Sequence, residues 1–366
     1  MKIVCSKFEL IDAVTTVSRA IKSKISVDIL TNVLINATGD SVILRGYDLE
    51  IGIEGIIKRA DVIEEGSIAV SPKMLGEIAK KMSDPMLTLE TKDNKLLISS
   101  GKTTMKLAYV SAEEYPLFPV VDEPQRFTIK SELLKSVLSK VVFAVSDDNT
   151  RAALTGVYLK CTGGSLTTVA IDGYRMALNK APIESTYDFG VIVPGKSVHE
   201  VLRAIGSLDT DVIISLGANH VYFEIDDTKV VSRLISGDYI NYEGIIVKTY
   251  KSMITVNKDA LYEAFDRALL VASTEDRSVP ASVSGEGDEI VVDCSGVTSV
   301  VHDIIEDTEI KGENIDVDIN TKYITDALKN IDDENIIVEF SGNAGPVIIK
   351  PTEGDSYLYL VLPIRR

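Results

Sequence analysis

Gly190 to Ser197 reads GVIVPGKS, a full G-x-x-x-x-G-K-S match. In a phosphate-binding loop the four intervening residues form a backbone cradle, after a buried strand. Here they are Val-Ile-Val-Pro, which prefer to be a strand themselves. The segment upstream, Glu184-Ser-Thr-Tyr-Asp-Phe189, offers no buried strand. Gly101-Lys102-Thr103-Thr104 is a weaker echo, with Leu96 where the first glycine belongs. His199, His220 and His302 have no ligand spacing, and neither a C-x-x-C pair nor a G-x-S-x-G elbow occurs. Asp147-Asp148 and Asp226-Asp227 could serve metal or acid–base chemistry, but as acidic pairs beside turns they read more simply as solvated. The expectation is a protein without catalytic residues, metal or cofactor, with nucleotide chemistry at Gly190–Ser197 as the rival.

At 366 residues the chain is long enough for two or three domains. The N-terminus MKIVCSKFELID has acidic residues where a signal peptide would need an apolar run, and no apolar stretch approaches the roughly 20 residues of a membrane span. Cys5, Cys161 and Cys294 fall one per third, an odd count without close pairs, which implies reduced thiols in a cytoplasm.

The positioning elements repeat three times. Leu10, Val14, Val17 and Ile21 define an amphipathic helix; Leu134, Leu138, Val141 and Val145 repeat its spacing, as do Leu261, Phe265, Ala268 and Ala272. A second helix carries Leu75, Ile78, Ala79 and Met82, matched by Val198, Val201, Leu202 and Ile205, and by Ile324, Ala327, Leu328 and Ile331. Each second helix has a start signal: Ser71-Pro72, Pro194 or Asn320. A short strand precedes it (SIAV, VIV, DVDI) and three β-rich runs parted by turns follow. The segments equivalent to the glycine-rich match, SIAVSPK and DVDINTK, lack its glycines. Thr167–Pro182 reads as a hairpin about Asp172-Gly173. The fold class is therefore α+β: three tandem repeats, each an antiparallel sheet with two helices, at 1–124, 125–250 and 251–366, the first boundary near Glu123-Pro124.

The net charge of −17 argues against nucleic acid if read as a sum. The six amphipathic segments, taken from Ser6–Lys24 through Thr321–Asn330, total +7, leaving −24 elsewhere. Helices sharing one face would make a basic stripe suited to phosphate. Lys and Arg are also plain helix formers on solvated faces.

The chain resembles the bacterial DNA polymerase III beta subunit, the sliding-clamp family, over its whole length. The residues that carry this are Val169–Met176 (VAIDGYRM), Leu154-Thr-Gly, Asp48-Leu-Glu, Val191-Ile-Val-Pro with Lys196, and Leu362-Pro-Ile-Arg365. The resemblance implies a processivity factor, not an enzyme. It implies a head-to-tail homodimeric ring around duplex DNA, with helices inside, sheets outside and no membrane. The partners would be the polymerase III alpha subunit, the clamp loader and other proteins bearing a clamp-binding peptide. That peptide's pocket would be Leu154, Ile171, Gly173, Tyr174, Arg175, Met176, Val247, Pro346, Leu360, Leu362, Pro363 and Arg365. For Leu154, Met176 and Leu360 ordinary core is the competing reading. DNA contacts would fall on Lys24, Lys73, Arg151 and Lys196, and the ring seam on Met105 and Leu107 against Leu270 and Val271. The sequence departs from the family pattern at Ile171 (usually threonine), Tyr174 (histidine), Tyr239-Ile-Asn-Tyr242 (F-P-x-Y), Gly195 (often basic) and Asp28 (often proline). Val297–His302 also lacks the family's acidic residues.

Overall fold

The computed structural model describes residues 1–120, 124–273, 279–306 and 308–365; Glu123, on which the first predicted boundary falls, and Arg366 lie outside them. Six α-helices are present among the described residues: α1 (Lys7–Ser18), α2 (Pro72–Lys81), α3 (Ser131–Val142), α4 (Gly195–Ile205), α5 (Lys258–Ser273) and α6 (Thr321–Leu328). They are the six the periodicity predicts, with starts set by side chains. Ser6 Oγ accepts from the Glu9 N–H, Ser71 Oγ from that of Met74, and Asn320 Oδ1 from that of Lys322.

Their ends need correction. Ile21, Met82, Val145 and Ile331 all lie beyond the helices assigned to them. In each case the backbone tightens after the last α-turn: the N–H groups of Ile21, Met82, Val145 and Ile331 bond the carbonyls three residues back. An apolar residue there stays near the buried face although the α-helix has stopped. The charge pattern shifts too. Arg19, Lys22 and Lys24 follow α1 rather than belonging to it, and Lys329 follows α6. Counted within the helices as built, eleven cationic residues face nine acidic ones, a net +2 rather than +7.

The chain forms two compact units. One comprises Met1–Glu132 with Lys196–Leu234; the other comprises Leu133–Gly195 with Ile235–Arg366. The first holds a thirteen-stranded sheet running from Gln125–Lys130 to Ala60–Glu64. At its fourth and fifth strands, Thr228–Arg233 pairs antiparallel with Ile51–Ile57, so strands from the first and second predicted repeats share one ladder. Helix α1 packs on α2 and on this sheet.

The second unit holds a nine-stranded sheet, from Phe189–Pro194 to Glu309–Gly312, and a four-stranded one ordered Val300–Ile305, Glu289–Ser295, Pro280–Glu286, Ile315–Asn320. In the larger sheet Arg175–Pro182 pairs antiparallel with Tyr357–Val361, the same kind of junction one repeat later. Helix α5 packs on α6 and on the smaller sheet. Strand alternation sorts the side chains of Ser165–Ile171 and Arg175–Pro182 between two faces. Thr168 donates from its hydroxyl to the Val137 carbonyl of α3, which marks the helix side; Val169, Ile171, Met176 and Leu178 occupy the other.

Candidate functional site

The glycine-rich match is built as a strand. Gly190 to Pro194 pair residue for residue with Lys160 to Gly156, and α4 begins at Gly195. Ser197 is buried and accepts a 2.7 Å hydrogen bond from the Ser232 hydroxyl. Lys196 turns to Asp48, 2.9 Å from Oδ2. No backbone cradle exists at this position, as Val-Ile-Val-Pro predicts. All three cysteines are free and buried.

The hairpin turn lies one residue later than Asp-Gly alone suggests. The Asp172 N–H bonds the Arg175 carbonyl across Gly173 and Tyr174, and Gly173 takes φ +97, where a side chain would be strained. Asp172 Oδ1 accepts the N–H groups of both Tyr174 and Arg175 at 2.9 Å. The chain's last residues run beside this turn. Met176 pairs with Leu360 and Arg175 with Val361, then the Leu362 N–H bonds the Tyr174 carbonyl at 2.9 Å. Ile364 is fixed in turn by donating to the Asp318 carbonyl.

On the face away from the helices, Leu154, Ile171, Met176 and Leu360 pack together with Val169, Leu178, Tyr242 and Ile348. Tyr239, Ile245 and Ile246 pack against them. Tyr239 stacks on Tyr158, ring centres 4.9 Å apart, and lies 3.5 Å from the Val169 carbonyl; burial pushes its phenol well above the usual range. Asn241 accepts from the Gly244 N–H, so a polar cap shapes the segment after Tyr239. The four predicted anchors are closed, Met176 being 2% exposed, whereas Tyr174 is 64% and Leu362 41% exposed at the rim. Val247 and Pro363 are half-buried, as is Pro346, which accepts from the Ser341 N–H. Arg365 is exposed beside a cavity of about 300 Å³ lined also by Asp316, Asp318, Asn343 and Ile364.

Arg175 lies on the opposite face of its strand from Met176. It leaves the helix face of its strand and is 9% exposed. Its guanidinium donates to Asp172 at 2.9 Å, to the Phe143 carbonyl at 2.7 Å and to Asp326 of α6 at 2.7 Å. It shapes the turn from behind.

Among the predicted DNA contacts, Lys24, Lys73 and Arg151 are exposed and make no ion pair among the described residues. Lys196 shares Asp48 with Lys22, whose Nζ lies 3.2 Å from the same oxygen. Burial pushes the Asp48 carboxyl up. The backbone N–H groups of Ile51 and Glu50 together with Lys196 outweigh it, leaving it below the usual carboxylate range. Sequence reading missed Lys322. It is the second residue of α6, as Lys73 is of α2 and Lys196 of α4, and the repeat register could have found it. Of the residues predicted for a seam, Met105 and Leu270 are exposed, while Leu107 and Val271 are 8% and 6% exposed within the chain itself.

Residues 1–119 match the N-terminal domain of the DNA polymerase III beta subunit, 128–241 its central domain and 244–365 its C-terminal domain. The chain belongs to this family. The beta sliding clamp of Bacillus subtilis is 32% identical over 378 residues, covering 100% of both chains, and that of Halalkalibacterium halodurans 31% over 380. A solved sliding clamp from Bacillus subtilis, 31% identical, superposes with a TM-score of 0.96 over 100% of this chain and 99% of that one. A putative beta subunit from Eubacterium rectale, 29% identical, gives 0.94 over the same shares. The family consists of non-catalytic DNA polymerase processivity factors, and this chain is one.

Proposed function

We propose that the chain works as a homodimeric ring that encircles duplex DNA, slides without reading sequence, and holds the polymerase III alpha subunit, the clamp loader and other partners by short peptides. Each chain contributes three clamp domains, at 1–124, 125–250 and 251–366, and acts in the cytoplasm.

The observation that carries this reading is the pair of equivalent strand junctions. Ile51–Ile57 pairs with Thr228–Arg233, and one repeat later Arg175–Pro182 pairs with Tyr357–Val361. The repeat demands a third junction, between Val300–Ile305 and the stretch 103–108. Among the described residues each of these pairs on one side only, with Glu289–Ser295 and Lys95–Ser100 respectively. Val300 and Ile304 are exposed on the first, Met105 on the second. Two unlike open edges per chain suit head-to-tail closure between two copies, which removes both. The seam then comprises Met105, Leu107, Leu270 and Val271, with Val300 and Ile304 added.

Lys24, Lys73, Arg151 and Lys196, joined by Lys322, would contact phosphates rather than base edges. The partner peptide would place apolar side chains between the 171–176 turn and the terminal segment, opening the cluster of Leu154, Ile171, Met176 and Leu360. Gly173, Tyr174, Val247, Pro346, Leu362, Pro363 and Arg365 would form its rim, with Arg175 behind the turn.

The test is topological. Loaded by the clamp loader with ATP, the protein should remain on nicked circular DNA and be lost when the circle is cut, with a dimer's mass by light scattering. Equal retention on cut and uncut DNA would refute encirclement.

A further inference from the structure

Arg175 and Met176 are consecutive on one strand, so their side chains leave opposite faces of the sheet. Met176 enters the apolar cluster, while the Arg175 guanidinium lies 4.5 Å from the ring centre of Tyr323 on α6 and 5.4 Å from that of Phe143. Through Asp172 it braces the turn, and through Asp326 Oδ2 it ties that turn to α6. The Asp326 oxygen is shared. Lys322, one helical turn earlier, places its Nζ 2.6 Å from the same Oδ2. The Lys322 side chain is 53% exposed against 20% for Asp326, so the lysine is the member that an incoming anion can reach.

We infer that Asp326 is a relay, coupling phosphate contact at Lys322 to the partner-binding turn at 172–175, with Arg175 as the positioning residue. This rests on the preceding reading, in which phosphates meet the second-type helices and the peptide meets the turn. Two cations competing for one carboxylate oxygen each hold it less firmly than one alone. A phosphate that draws Lys322 away leaves Asp326 to Arg175. Their charge-assisted bond, largely screened from water by the two rings, then strengthens. The turn is held in the geometry seen here, and the peptide no longer has to order it. Linkage makes the effect reciprocal: bound peptide, by fixing the turn, releases Lys322 for phosphate. The signal crosses the sheet through one strand, since the two neighbouring residues face opposite sides.

The experiment measures the Kd of a fluorescent clamp-binding peptide from the polymerase III alpha subunit, by polarisation, with the full-length protein. It is done with and without a saturating short linear duplex at low salt. In the wild type the duplex should tighten peptide binding about five-fold, the usual scale of such coupling. Lys322→Ala should bind peptide without duplex about as tightly as the wild type does with it, and duplex should add nothing. Asp326→Asn should bind weakly in both conditions. Lys80→Ala, which removes an exposed lysine of α2 that pairs with Glu77 and is assigned no phosphate contact, should keep the wild-type ratio. Peptide binding that ignores duplex in the wild type, or a ratio that survives Lys322→Ala, overturns the relay alone. A wild type that binds no peptide overturns the partner-site reading and the relay with it.

Discussion

Leu362→Ala tests the proposed partner site apart from the core. Met176 is the obvious anchor, yet at 2% exposure its truncation opens a cavity in the free protein, costing about 2–5 kcal/mol of stability and confounding any loss of peptide. Leu362 is 41% exposed, and its own link to the turn is a backbone bond from its N–H to the Tyr174 carbonyl, which alanine preserves. Full burial of a leucine side chain contributes about 2–3 kcal/mol. Only the two-fifths still exposed can be newly covered, so the peptide gains about 1 kcal/mol there by area alone. Lost packing contacts raise this to about 1–2 kcal/mol, or about 5- to 30-fold in Kd. Thermal stability should change little, as for most surface truncations. Deleting Leu362 to Arg366 removes the wall entirely and should abolish binding while the strand Tyr357–Val361 and the dimer persist. The assay is a polarisation titration with light-scattering mass as control. Undiminished affinity in the truncated dimer would place the partner site elsewhere and refute the argument.

At the proposed seam, Met105→Glu should give monomers by light scattering at micromolar protein, because a charge would be buried at an apolar edge. Leu107→Glu should do the same but also lower the melting temperature, since Leu107 is already 8% exposed within the chain. Lys24→Glu with Lys73→Glu should weaken duplex binding alike on every sequence and flatten its salt dependence by about one unit of log–log slope per lost contact; binding indifferent to salt would contradict this. Asp48 has a folded pKa below its unfolded value, so its stabilisation is present above the usual carboxylate pKa of about 4 and is lost as pH falls through the lower folded value. Asp48→Asn should therefore flatten the acid limb of a stability–pH profile, and an unchanged limb would rule out that contribution.

The helices were legible because a buried stripe repeats at fixed spacing whatever lies opposite it. Their ends were not: Ile21 and Ile331 keep the stripe after the hydrogen bonding has tightened, and side-chain pattern alone does not report which carbonyl an N–H reaches. The strand junctions were invisible for a related reason. The ladder between Arg175–Pro182 and Tyr357–Val361 is made by backbone groups common to all residues. The apolar wall of Ile171, Met176 and Leu360 could be named only through resemblance, because buried apolar residues on strands look the same in a core and in a closed pocket. Arg175 shows the opposite case. Strand alternation placed it across from Met176 in principle, but its partners Phe143 and Asp326 lie 32 and 151 residues away, beyond any local pattern.

The cations proposed to meet phosphate raise a further point about sliding. Lys196 and Lys322 hold equivalent positions at the second residue of α4 and α6, where the positive end of a helix disfavours a lysine. Each is tied to a carboxylate that also holds a second cation: Asp48 with Lys22, Asp326 with Arg175. A lysine so paired presents less positive field to a phosphate than a free one and must give up its partner to bind. On the proposed function this is the useful condition. A ring that moves along a duplex must exchange phosphates continually, and a deep electrostatic well at every contact would arrest it. The net +2 of the helices, set against −17 for the whole chain, fits weak attraction to phosphate better than it fits tight binding.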